Sequence, residues 1–332
     1  MSKFLKDLEK ELNSLSVSPK EIKEILEDHI EMIKAATQDG LNENEISLKF
    51  GEPAKIATEI YNDSINKESY EEISLDNVES VADYNTVDFT FVKTFSNIPE
   101  ALDFNVSFVN EDFILSDFDG EGIQVYQNRV KNIDDYSIDL EGSELVLKKK
   151  KIKKILGSIN FKSKSAEFLV LVPKGYKFNN LDYHTVSGDV VANQLFVNSF
   201  KLKSTNGDIN LSNVNLGKAN FSLVNGDIEI HGMKALSLDI SLVNGDIEIE
   251  QALIDGDIYY NSVNGDVKLH NVECANASFK TVSGDVDGKN FYVKEISLKS
   301  ISGDIEIQND DKTREIKIVS KKTLSGDISI NN

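Results

Sequence analysis

The sequence has no tryptophan, one cysteine at Cys274, and only two arginines, Arg129 and Arg314, among 332 residues. Each shortage excludes something. A single cysteine rules out an internal disulfide framework and fits a reducing compartment, so Cys274 is expected to be a buried, inert thiol. Two guanidinium groups in a chain of formal charge −20 argue against a nucleic-acid surface, which needs concentrated Lys/Arg against phosphates. Long apolar runs are missing too. No stretch approaches the ~18 residues of a membrane span, and Met1-Ser2-Lys3-Phe4-Leu5-Lys6-Asp7 has no apolar core of a signal peptide. The chain therefore reads as cytoplasmic, with no transmembrane segment and no direct nucleic-acid binding.

What is abundant is one tripeptide. Ser/Asn-Gly-Asp recurs at Gly188, Gly207, Gly226, Gly245, Gly265, Gly284, Gly303 and Gly326, at intervals of 19, 19, 19, 20, 19, 19 and 23 residues. A fixed period of this size is the signature of a solenoid whose repeats rest on their neighbours. With each glycine as zero, position +2 is always Val or Ile and +4 is mostly apolar. Position −2 carries Val186, Thr205, Val224, Val243, Val263, Val282, Ile301 and Leu324. Period-two alternation predicts one inward row through −2, 0, +2 and +4, with the Ser/Asn and the Asp facing out. Glycine in that row means either that the slot is too crowded for a Cβ or that the backbone needs φ > 0.

A second set of inward pairs, Phe200/Leu202, Ala219/Phe221, Leu238/Ile240, Ile258/Tyr260, Ala277/Phe279 and Ile296/Leu298, gives each coil two main strands. Asn-Gly between apolar runs also signals a hairpin, so an antiparallel meander competes. The constant period and homogeneous columns favour parallel coils in register at ~4.8 Å, eight of which span on the order of 35–40 Å.

Residues 1–66 carry helical periodicity instead, with Phe4, Leu5, Leu8, Leu12 and Leu15 on one face and Ile22, Ile25, Leu26, Ile30 and Ile33 on the next. Ser18-Pro19-Lys20-Glu21 is a capping box, Gly40 closes the second helix, and Asn42-Glu43-Asn44-Glu45 opens a third. Pro53 suits the first turn of a fourth, burying Ile56, Ala57 and Ile60. Residues 67–80 read as an acidic linker, and strand-like alternation from 81 reads as less regular coils of the same solenoid. The expected fold is α+β as separate domains: a helical module over 1–66, a linker over 67–80, and an all-β solenoid (β-helix) of about 19-residue coils over 81–332, most regular from 184.

Phe4-Leu5 and Leu8, the Ile25 to Ile33 helix, Asp39-Gly40 and above all Phe50-Gly51-Glu52-Pro53-Ala54-Lys55-Ile56-Ala57 resemble the HTH-associated alpha-helical signalling (HAAS) domain of bacterial proteins. That domain is often associated with PadR-type transcriptional regulators. The resemblance implies a protein partner, a PadR-type regulator or a membrane protein, with Phe50, Gly51 and Pro53 as candidate contacts. Many relatives continue into transmembrane helices, where this chain has its acidic linker. Leu171-Val172-Pro173-Lys174-Gly175 leading into His184-Thr185-Val186-Ser187-Gly188-Asp189-Val190 is similar to the bacterial Gly-Asp β-strand-repeat family, LiaG-like proteins that carry an adhesin label. That similarity implies a β-solenoid.

The sharpest chemical candidate is the column Asp189, Asp208, Asp227, Asp246, Asp266, Asp285, Asp304 and Asp327. Carboxylates ~4.8 Å apart repel by roughly 0.9 kcal/mol per neighbouring pair in water, so something offsets them. The expected offset is backbone N–H groups at each turn, with Ca²⁺ as the alternative; calcium-binding solenoids use denser repeats. His231 and His270 stand in equivalent positions two coils apart, too far to share a zinc unless their side chains converge, and with His184 are expected to be solvated. Lys148 to Lys151 with Lys153, Lys154, Lys162 and Lys164 form a dense positive patch, with Lys149, Lys150 and Lys151 as candidate partner contacts. Anionic lipid or the acidic helical module is what it would meet, and a solvated strand edge that discourages aggregation is the structural reading. Near absence of arginine argues against a carbohydrate-active enzyme. No catalytic residue and no cofactor is assigned. The sequence points to a non-enzymatic signalling or scaffold protein, with a cell-surface adhesin as the rival and self-association compatible with either.

Overall fold

The computed structural model describes residues 3–14, 22–23, 26, 30, 53–55, 57, 86–150 and 165–331. The chain divides into two compact units, Met1–Ile73 and Ser74–Asn332. In the first, α1 (Lys3–Ser14) turns Phe4, Leu5, Leu8 and Leu12 to one face, where they are buried with Ile22, Leu26 and Ala57. Asn13 and Ser14 bond back to the carbonyls of Glu9 and Glu11, both at 2.7 Å, satisfying last-turn acceptors. Pro53 is helical and half-buried. The capping box, Gly40, the third helix, Phe50, Gly51 and the linker 67–80 lie outside the described residues.

The second unit is one 18-stranded sheet wound on itself. Its first half comprises β1 (Thr90–Phe95), β2 (Ala101–Ser107), β3 (Glu111–Phe118), β4 (Ile123–Asn128), β5 (Tyr136–Glu141), β6 (Glu144–Lys149), β7 (Ala166–Pro173), β8 (Lys177–Ser187) and β9 (Val190–Asn193). The rest are β10 (Phe196–Asn206), β11 (Ile209–Asn225), β12 (Ile228–Asn244), β13 (Ile247–Asn264), β14 (Val267–Ser283), β15 (Val286–Ser302), β16 (Ile305–Gln308), β17 (Lys317–Lys322) and β18 (Ile328–Asn331). From β8 onward all pairing is parallel, and each residue lies against its counterpart one repeat later, as in Ile209, Ile228, Ile247, Val267, Val286, Ile305 and Ile328. This is the solenoid and not the meander. The 20-residue interval is absorbed by one extra residue near Asp255-Gly256, where the register slips on both sides of β13.

Burial along a coil refines the two-strand reading. In the coil after Gly207 the buried apolar positions are Ile209 and Leu211, then Val214 and Leu216, then Ala219, Phe221 and Leu223, which makes three inward segments. The first corner lies at +6, where Gln194, Asn213, Gln251, Asn271 and Asn290 take φ of 54–55° and Gly232 takes 74°. These residues hold the left-handed conformation that short amide side chains tolerate best.

The predicted inward row is corrected at −2. Val186, Val224, Val243, Val263, Val282 and Ile301 are 39–50% exposed, and Leu324 is 84% exposed. The inward position is −3, filled by Thr185, Ser204, Leu223, Leu242, Ser262, Thr281 and Ser300. The motif glycines, at φ between 115° and 154°, turn a corner, so the inward row stops at −3 and restarts at +2. Strict alternation does not survive a corner.

The start of the solenoid is also more complex than a run of irregular coils. β2 lies between β6 and β8, and β3 lies between β7 and β9. The coil made of β6 and β7 is therefore outermost, although it comes later in the chain than the β2–β3 coil above it. Antiparallel strands then close the end, β4 against β7, β1 against β4, and β5 against β6. They cover parallel edges that would otherwise present unpaired N–H and C=O groups. Near the far end, the buried Asn309 side chain donates to Phe291 O (3.1 Å) and accepts from Phe291 N–H (2.9 Å), pairing with that backbone as a further strand would.

Candidate functional site

The motif corner is a set of columns. A Cβ on Gly226, Gly245 or Gly284 would lie 2.1 Å from the carbonyl oxygen of the motif glycine one coil below. Both reasons for glycine therefore hold, crowding and positive φ, but the crowding comes from backbone along the stack and not from the core. Next to it, Asn225, Asn244 and Asn264 each donate to the side-chain oxygen of the asparagine one coil earlier, at 2.9, 2.9 and 2.8 Å.

The aspartates complete the corner. Asp189, Asp208, Asp227, Asp246, Asp266, Asp285 and Asp304 each accept, through Oδ1, the backbone N–H of the next aspartate, at 2.7–2.9 Å. The expected partner was an N–H of the same turn; the actual one belongs to the coil above. A charge-assisted bond nets about 1.5–3 kcal/mol in sheltered settings, less at an exposed corner, which is enough to offset roughly 0.9 kcal/mol of repulsion. The ladder starts one coil before the first tripeptide, because Asp189 N–H donates to Asp112 at 3.1 Å.

Asp112 exposes a motif that a search for glycine misses. Asn110-Glu111-Asp112-Phe113, with Leu115, keeps positions −1, +1, +2 and +4 and puts Glu111 where the next coil has Gly188. Glu111 is 1% exposed. It accepts from the N–H groups of Val109 (2.9 Å) and Asn110 (3.1 Å), from Tyr136 Oη (2.7 Å) and from Lys149 Nζ. Burial raises its pKa, but the bonds from Lys149, Val109, Tyr136 and Asn110 outweigh it and hold the carboxyl below the usual range. Tyr136 is pushed strongly up by burial and by Glu111. Lys149, read from sequence as a partner contact, is thus committed to an interior ion pair and also lies 5.5 Å from the Tyr136 ring centre. Lys150 donates to Asp134 O at 2.9 Å, and Lys151 lies outside the described residues.

Away from the motif, in-register stacking puts Glu250 between His231 and His270. The two imidazoles converge on it: His231 Nδ1 lies 3.1 Å from one carboxylate oxygen and His270 Nδ1 lies 3.6 Å from the other. His184 sits elsewhere and is exposed. Cys274 is buried, as expected, and burial pushes its thiol pKa up. No helix among the described residues is long and apolar enough to cross a membrane.

The geometry defines a class, a parallel β-solenoid that displays fixed columns of side chains on stacked coils. The profile of the family described as Toastrack DUF4097 matches residues 102–262 and 251–332, and the chain belongs to that family. Residues 3–59 match the HAAS profile. Among solved structures, a "putative lipid binding protein" from Parabacteroides distasonis is 19% identical, with a TM-score of 0.51 over 73% of this chain and 96% of that one. A "putative adhesin" from Bacteroides fragilis is 18% identical, with a TM-score of 0.41 over 72% of this chain and 97% of that one. A "putative adhesin" from Parabacteroides merdae is 14% identical, at 0.43 over 74% and 98%. None of the curated proteins compared with this chain matches it.

Proposed function

We propose that this is a non-enzymatic signalling or scaffold protein, in which the HAAS-matched module binds a cytoplasmic regulatory protein and the solenoid presents an interaction surface. The observation that supports this reading is the exposed apolar column Val186, Val224, Val243, Val263, Val282 and Ile301, which runs beside the asparagine ladder at Val224, Val243 and Val263 and beside motif serines at the other three. The position recurs once per coil, apolar in each of these coils except that of Thr205, on backbone already paired in the sheet, so contact with a partner removes apolar surface without breaking hydrogen bonds. The partner of the module is a PadR-type regulator or a membrane protein.

The test is a cross-linking pull-down from native cells, comparing the full chain with one lacking residues 1–66 and identifying partners by mass spectrometry. A transcriptional regulator or membrane protein recovered only with the full chain is the expected result. The same partners recovered equally without residues 1–66 would sink the assignment of binding to the module. Envelope components recovered with both chains would instead favour a cell-surface adhesin.

A further inference from the structure

We propose that His231, Glu248, Glu250 and His270 form a binding site for a divalent transition-metal ion of the Zn²⁺ class. Among the described residues, Glu248, Glu250 and His270 are the group of metal-ligating side chains whose donor atoms all lie within 4.8 Å of one another. His231 joins them through the carboxylate it shares with His270, at 3.1 Å against 3.6 Å. Tetrahedral zinc with bonds of about 2.0–2.2 Å holds its donors roughly 3.2–3.6 Å apart. Each imidazole nitrogen stands near that spacing from one oxygen of the shared carboxylate, and His231, which lies outside the 4.8 Å group, completes the set by a side-chain shift toward the ion.

Three further features favour an ion. Glu248 and Glu250 are two residues apart on one strand, at alternate positions that share a face, where a cation relieves their repulsion. The donors come from three successive coils locked in register and are followed by the left-handed corners at Gly232, Gln251 and Asn271, so little ordering remains for binding to impose. Two imidazoles with two carboxylates suit Zn²⁺, Co²⁺ or Ni²⁺ and disfavour Ca²⁺, which takes oxygen ligands. The side chains are 38–39% exposed at both histidines and Glu250, which leaves the ion room to enter.

The test is titration of the untagged full chain with Co²⁺, read by its d–d absorption, followed by displacement with Zn²⁺. One Co²⁺ per chain with a mixed N/O spectrum is expected, with displacement by Zn²⁺ and none by millimolar Ca²⁺. His270→Ala and Glu250→Gln should each weaken binding by at least about 100-fold, beyond the ~10–100-fold that follows loss of an outer hydrogen-bonding partner. His184→Ala, a histidine outside the cluster, should leave it unchanged. Since all these groups are at the surface, an unchanged melting temperature in chelator will show that the variants fold. Binding that survives loss of both His231 and His270, or no saturable one-to-one binding below millimolar Co²⁺, would overturn the site.

Discussion

The first coils and the regular coils solve the same corner in opposite ways. From Gly188 upward the corner residue has no side chain, because the carbonyl oxygen below leaves no room for one. One coil earlier the equivalent residue is Glu111, whose side chain turns inward to bind two backbone N–H groups, Tyr136 and Lys149. The repeat is therefore constrained by its neighbour as well as by the positive φ of its own turn. Residue type at the corner reports whether another motif coil lies beneath.

Substitutions can break this comparison, beginning with the largest effect. Gly245→Ala places a Cβ 2.1 Å from a backbone oxygen at φ 133°, and should destabilise the solenoid by about 4 kcal/mol or more in urea unfolding. Gly175→Ala, where nothing lies within 4 Å and only φ 73° opposes a side chain, should cost about 1–2 kcal/mol. Equal losses at both positions would mean that stacking does not dictate glycine.

Glu111→Ala leaves Lys149 facing a buried vacancy and should cost about 3 kcal/mol. The depressed carboxyl also predicts a pH dependence. Its contribution is present above the unfolded value of about 4.3 and is lost as pH falls through the lower folded value. Glu111→Gln should therefore flatten the stability profile as pH falls below about 5; an unchanged slope would show that other carboxylates dominate acid unfolding.

The corrected inward row is tested by adjacent residues. Leu242→Ala, at 3% exposure, should cost about 2–3 kcal/mol, while Val243→Ala, at 39%, should stay within about 0.5 kcal/mol. The smallest contrast is at the ladder. Asp227→Ala removes an acceptor and should cost about 1 kcal/mol, whereas Asp227→Asn keeps one and should be near neutral. A rise of several degrees in melting temperature with micromolar Ca²⁺, lost in Asp227→Asn with Asp246→Asn, would replace the hydrogen-bond ladder by a cation column.

The period, the parallel register and the columns at +1, +2 and +4 could be read from the sequence because every coil repeats the same local demand. The −2 column could not, since alternation carries no mark of the corner that the glycine makes. Gln194 and Gln251 at the left-handed corner were equally silent, glutamine being an unremarkable residue for such a turn. Asp112 was hidden by its neighbour, because a search keyed on glycine passes over Asn110-Glu111-Asp112. The His231, Glu250 and His270 column was within reach: intervals of 19 and 20 residues place the glutamate between the histidines once the register is known.

The out-of-order base gives assembly a direction. Above β9 each coil closes on contacts one repeat away, but Asp112 must wait for Asp189, 77 residues on, before the first corner forms. Long loop closure slows folding more than added local contacts do. The interleaved β2–β3 and β6–β7 coils are therefore expected to set the folding rate, with the regular coils adding above them, so inserting a whole repeat above β10 should lengthen the rod and leave the folding rate unchanged.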